Sequence, residues 1–212
     1  ALQRDWGEEH LCAHCAAYPR FLEEYGCLTE FSLAISCPEA ARLLRSAPRF
    51  TLIETRDGRD DPPFDGVDPE LLAGLERSRA KVLALLDGDR TPIWERLRAM
   101  AAYAQELQAC IDAGEYGKMG GVELPSPFQA VHDNRRTYIL RLLDLMASLE
   151  PLRPHWPRLL KACSAQLAAL AEGEYAALCS EYGEKNPRWG RQLSNLACYF
   201  VFRHWHKAVN DD

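Results

Sequence analysis

The chain has 212 residues, 47% apolar and 26% charged, with a formal net charge of -6, which describes an ordinary globular protein long enough to bury its own core as one large domain or two small ones. The negative balance argues against a nucleic-acid partner, whose phosphates call for a basic face. No apolar run approaches the roughly 18 to 20 residues that span a bilayer, so no membrane partner is expected either.

Ala1 to about Cys12 has helical spacing, with Leu2 and Trp6 on one side. The opening has neither an initiator Met nor the charged-then-apolar pattern of a signal peptide. The chain is therefore expected to begin inside a longer protein, and its apolar last helix suggests that the parent continues past Asp212. From Cys12 to Ser36 the pattern is interrupted by Pro19 and Gly26, and "LTEFSLAI" alternates only loosely, as a short strand or extended segment does. "SCPEAARLLRSA" predicts a helix start, with Ser36 or Cys37 as cap, Pro38 as first helical residue and Glu39 in the first turn. "RFTLIETRD" reads as a short strand, and "GRDDPPFDGVD" as a loop. The division expected there is a cysteine-rich region over residues 1–56 and a helical body over 68–212.

The body keeps a 3.6-residue apolar period. "PELLAGLERSRAKVLALLDG" predicts a helix ending at Gly88, and "TPIWERLRAMAAYAQELQACIDAG" one capped by Thr91. "GEYGKMGGVELPSP" reads as a connector. "FQAVHDNRRTYILRLLDLMASLE" is one helix, "PHWPRLLKACSAQLAALAEGEYAALCSEY" one or two, and "RWGRQLSNLACYFVFRHWHKAV" the last. The predicted class is mainly α: a helical bundle with a small irregular cysteine-rich head.

Eight cysteines without a secretory signal favour a reducing, cytoplasmic setting. Four cluster early: Cys12, Cys15, Cys27 and Cys37. Cys12 and Cys15 form a Cys-x-x-Cys turn, which can chelate a metal or act as a redox dithiol. The redox use wants a strand before the motif, whereas here a helical segment precedes it. A thiolate at Cys37 would be stabilised by the start of the following helix, and four thiolates suit zinc or an iron–sulfur cluster. Cys27 reads equally as a buried thiol. Cys110, Cys163, Cys179 and Cys198 sit beside Ala or Leu and read as packed thiols. His204 and His206 fall about 200° apart on a helix and would not share a metal. No phosphate-binding glycine loop, dinucleotide fingerprint or serine nucleophile elbow is present.

The run "WGEEHLCAHCAAYPRFLEEYGCLTEFSLAISCPEAARLL" resembles the central motif block of the flagellin lysine-N-methylase family. Gly7 to Leu11, Cys15 with Tyr18-Pro19-Arg20, Ser32-Leu33 and Ser36 to Arg42 carry the match. Beyond it, "WERL" at Trp94 to Leu97 and "NLACYFVFR" are similar mainly in layout. The resemblance implies methylation of lysine amines on a protein substrate, flagellin, with S-adenosylmethionine as donor and an iron–sulfur cluster of the four-iron-four-sulfur kind. It assigns Cys15 and Cys37 as ligands. Cys12 and Cys27 fall where the family has other residues, and an upstream cysteine block of the family lies before the point where this chain begins.

Near the cluster in sequence, Tyr18, Glu30 and Glu39 are candidates for lining a catalytic site. Arg20 and Arg42 are candidates for binding a carboxylate of the cofactor, or for ion pairs with neighbouring glutamates. Two other functions stay open: a non-catalytic iron–sulfur or zinc module, and a thiol oxidoreductase using Cys12 and Cys15.

Overall fold

The computed structural model describes residues 7, 13, 17–26, 28–55, 66–127, 135–151 and 153–209. Its first elements are two strands, β1 (Arg20–Tyr25) and β2 (Leu28–Leu33), paired as an antiparallel hairpin. Gly26 supplies φ +61°, the sign that tight hairpin turns require at their first central position. The register sets Tyr25 against Leu28 and Arg20 against Leu33. One step further, the Ala34 N–H donates to the Pro19 carbonyl at 2.7 Å. Bonded pairs alternate in such a ladder, so Thr29, Phe31 and Leu33 turn their backbone groups away from β1. The sequence foresaw only β2: Pro19 and Gly26, which read as interruptions, stand at the entry and the turn of a hairpin.

Helix α1 (Pro38–Ser46) starts as its sequence predicts, with Cys37 as cap, Pro38 next and Glu39 in the first turn. The predicted strand at "RFTLIETRD" does not form over its described residues 49–55. Its residue types favour a strand, but among the described residues no strand pairs with it. Helix α2 (Pro69–Asp87) is capped by the Asp68 carboxylate, which accepts the N–H groups of Glu70 and Leu71 at 2.8 and 3.1 Å. Helix α3 (Ile93–Asp112) begins one residue later than expected, with Pro92 and not Thr91 at the cap. The Thr91 carbonyl instead accepts from Arg96 Nε at 2.9 Å. The glycine-rich connector folds as a 3₁₀ turn, Tyr116–Gly121, that buries Met119. Gly74 on α2 makes room for it: a Cβ there would lie 2.8 Å from Met119 Sδ.

Helices α4 (Arg135–Ser148), α5 (Trp156–Ala169), α6 (Glu172–Lys185) and α7 (Trp189–His204) follow, and a 3₁₀ turn, Trp205–Val209, closes the described chain. Among the described residues after Asp68 there is no strand, as the sustained helical period predicts. The protein is mainly α. No helix of the described residues is long and apolar enough to cross a membrane.

The chain divides into two compact units, residues 1–128 with 190–212, and residues 129–189. The stretch set apart by sequence as a head, residues 1–56, lies in the same unit as α2, α3 and most of α7. That unit's core gathers Leu75, Val82 and Leu86 of α2, Tyr103 and Leu107 of α3, Met119, and Cys198 with Val201 of α7. In the other unit α4 packs on α5. Ser164 donates to Asp144 at 3.2 Å, and Arg136 donates to the Leu170 carbonyl left over at the end of α5.

Three polar side chains four residues apart make α7 the tie-bar of the first unit. Arg191 binds both Asp87, at 2.7 Å, and Asp89. Asn195 donates to the Leu44 and Ala47 carbonyls at 3.1 and 2.9 Å, satisfying acceptors that the end of α1 leaves open. The Tyr199 hydroxyl donates to the Leu33 carbonyl at 2.7 Å and accepts the Ile35 N–H at 3.0 Å. Removing that hydroxyl strands two backbone groups. Tyr199→Phe should cost about 1 to 3 kcal/mol, read as a lower midpoint of urea unfolding with an unchanged slope.

Candidate functional site

The first unit carries an open cleft of about 1190 Å³. Its walls come from β2, from α1 through Ala40, Leu43 and Leu44, and from residues 49–55. Most of the lining is apolar. The charged side chains along it are Glu30, Arg49, Glu54, Glu76 and Arg79.

Glu30 and Arg79 meet there as a buried pair. Both are almost wholly shielded from solvent, and Arg79 Nη1 donates directly to Glu30 Oε1. The guanidinium also donates to the Phe202 carbonyl at 3.4 Å and lies 5.3 Å from the centre of the Phe202 ring, a cation–π distance. Behind them His206 is fully buried, with Nδ1 3.3 Å from Glu30 Oε1. At that distance neither imidazole nitrogen has a well-formed hydrogen bond among the described residues. Tyr25 meets the imidazole edge-on, ring centres 5.4 Å apart.

The electrostatics of the pair follow from competition. Burial alone pushes the Glu30 carboxyl up, but His206 beside it and the charge and hydrogen bond of Arg79 together outweigh burial and hold it below the ordinary value. Burial, with help from Glu23 and Glu30, pushes the Tyr25 phenol up to about 12. Glu30 is thus an ionised, engaged carboxylate, and Tyr25 a neutral phenol.

The other candidates among the described residues lie outside the lining of the cleft. Tyr18 is exposed, its hydroxyl 3.5 Å from Ser36 Oγ. Glu39 and Arg42 are exposed and bind each other through two hydrogen bonds of 2.8 and 2.5 Å, the ion-pair alternative for Arg42. Arg20 is exposed at the start of β1. Cys37 is a half-buried free thiol at the start of α1. Cys12, Cys15 and Cys27 lie outside the described residues, and so does the expected approach of Cys15 to Cys37. Among the described residues no three His, Cys, Asp or Glu side chains converge as a metal site would require.

Of the four later cysteines, Cys198 is a buried thiol pushed up to about 12 by burial and by Asp87, and Cys110 is half-buried. Cys163 and Cys179 are exposed, not packed: their faces of α5 and α6 turn outward despite the neighbouring Ala and Leu. Sequence reasoning missed Arg79 and His206. A signal existed for Arg79, which stands on the apolar stripe of α2 four residues from Leu75 and three from Val82. A charge on a core stripe implies a buried partner. The chain matches no family model, no curated protein and no solved structure.

The pair sets an acid limit on the fold. An unfolded glutamate loses its proton near pH 4.5, whereas folded Glu30 does so lower. Between those values the unfolded chain binds more protons, so stability is present above about pH 4.5 and is lost as pH falls through the folded value. Glu30→Gln should flatten that acid limb in urea unfolding series between about pH 3 and pH 7. Arg79→Ala, which leaves the carboxylate buried and unpaired, should cost about 3 to 5 kcal/mol at neutral pH.

Proposed function

We propose that the chain is part of a protein lysine N-methyltransferase-like enzyme, acting on flagellin with S-adenosylmethionine as donor, in a reducing, cytoplasmic setting and with an iron–sulfur cluster on cysteine thiolates. The observation that supports this reading is one of place. The motif block Ser32-Leu33 and Ser36 to Arg42, which carries the resemblance to flagellin lysine-N-methylases, runs beside the cleft, and Ser32, Leu33 and Ala40 line it.

The reaction asks for a neutral lysine amine beside a sulfonium methyl group. The amine lone pair forms the new C–N bond, the sulfur keeps the C–S electrons, and the ammonium product loses a proton. A free lysine holds its proton to about pH 10.4, and an apolar wall lowers that value by disfavouring the charged form. The apolar lining of the cleft suits that task, and Glu54 and Glu76 offer charge to a cationic substrate and donor. Cys37, at a helix start, has the chemistry of a thiolate ligand. Cys15, with Cys12 and Cys27 as further thiols, would complete the set that holds a thiolate-bound iron centre. One observation favours the alternative of a non-catalytic iron–sulfur or zinc module: Glu30 is taken by Arg79 and Glu39 by Arg42, so neither is a free base.

The test is mass spectrometry of flagellin after incubation with the full-length parent and S-adenosylmethionine. Lysines should gain methyl masses, and Cys37→Ala should abolish the gain. Unmodified flagellin after incubation with folded, cluster-loaded parent would leave the binding module as the better reading.

A further inference from the structure

The cleft meets β2 edge-on. A strand lays alternate side chains on any one face, yet every residue from Leu28 to Leu33 borders the cleft, and so does every residue from Arg49 to Thr55. The phase of the hairpin decides what this edge offers. Because Ala34 donates across to Pro19, the backbone groups of Thr29, Phe31 and Leu33 point away from β1. The Leu33 carbonyl is met on that side by the Tyr199 hydroxyl, and Tyr199 itself lines the cleft. The outer edge of β2 therefore faces the cleft, closed at one end by Tyr199. Among the described residues nothing bonds the outward N–H and carbonyl of Thr29 and Phe31, and the sheet stops at two strands. An unpaired edge beside exposed apolar side chains is a template for a further strand. Phe31 is 73% exposed and Ile53 87%.

Charge selects the occupant. Arg79 is neutralised by Glu30, and Arg49 by Asp87 and Asp89 at 2.8 Å each. The lining carboxylates left without an arginine among the described residues are Glu54 and Glu76. We propose that the free edge of β2 receives an extended, lysine- or arginine-bearing segment of a protein partner, paired strand to strand with Thr29 and Phe31. The proposal uses the cleft assigned above to methyl transfer, and would present the substrate lysine on a strand, but strand pairing does not depend on the transfer step.

The probe is a capped, fluorescent octapeptide of alternating valine and lysine, titrated against the 212-residue chain by anisotropy without S-adenosylmethionine. A valine–glutamate octapeptide, and the lysine peptide N-methylated at every backbone nitrogen so that neither edge can donate, are the controls. The lysine peptide should bind saturably, and each control at least about tenfold more weakly, the scale of one or two lost hydrogen bonds. Phe31→Pro deletes an outward N–H and spares the pairing with β1. It should weaken binding by a similar factor at an unchanged melting temperature. Equal binding of the plain and N-methylated peptides would overturn strand pairing, whether or not Phe31→Pro folds. Absence of lysine-peptide binding would overturn the proposal. So would a concentration-dependent dimer in sedimentation that blocks the peptide, since the edge would then serve a second copy of the chain. Peptide binding with unmethylated flagellin would defeat the enzyme reading alone, and methylated flagellin without peptide binding would defeat this one alone.

Discussion

A buried contact between opposite charges, Glu30 on β2 and Arg79 on α2, ties the hairpin to α2. Taking either charge out of water alone costs several kcal/mol, so each is tolerable only with the other in place. The contact also fixes which way the strand faces. Side chains alternate along β2, with Glu30 inward and Phe31 outward, and a slip of one residue would exchange them. Such a slip would put Phe31 against a guanidinium with no counter-charge and Glu30 out in solvent. Beyond the stability it contributes above about pH 4.5, the pair specifies one register, and with it the identity of the residues whose backbone groups are left facing the cleft.

Helix α7 completes what the pair begins. Arg191, Asn195 and Tyr199 occupy one stripe, and each reaches a different segment: the end of α2, the end of α1 and the end of β2. The partners of Asn195 and Tyr199 are backbone groups. These ties therefore depend on where the chain runs and not on what side chains it carries. Arg96 works the same way from α3, donating to the Leu86 and Thr91 carbonyls and, at 3.0 Å, to Ser194. An irregular segment with few buried side chains of its own is in this way held to a helical core by side chains that belong to the core.

The helical elements were legible because their signals are local. Pro38 after Cys37, Pro69 after Asp68 and Gly88 after Asp87 mark ends that the fold respects, and the apolar period of α2 and α3 is strong. The hairpin was half legible. β1, "RFLEEY", has two adjacent glutamates and no alternation, so its strand character comes from its partner and the turn at Gly26 rather than from propensity. The "TLIET" segment erred the other way, with strand-like residues and no partner strand among the described residues. Among the site candidates, Glu30 was picked for its nearness to the cysteines, whereas its place in the structure comes from Arg79, 49 residues away. A contact over that separation leaves only a trace in the sequence, the odd charge on an apolar stripe.

The two walls of the cleft are fastened by different physics. β2 is fixed by a shielded ion pair and by the neutral hydroxyl of Tyr199, neither of which mobile ions can reach easily. The 49–55 wall is fastened by Phe50, which packs against the core and the Phe202 ring, and by Arg49, more than half exposed, through its pairs with Asp87 and Asp89. Ions screen exposed charges over about 8 Å at physiological ionic strength and about 3 Å at 1 M salt. Raising salt therefore weakens the Arg49 pairs while leaving the packing of Phe50 and the buried pair on β2 in place. The two walls therefore differ in how many of their fastenings an electrolyte can reach.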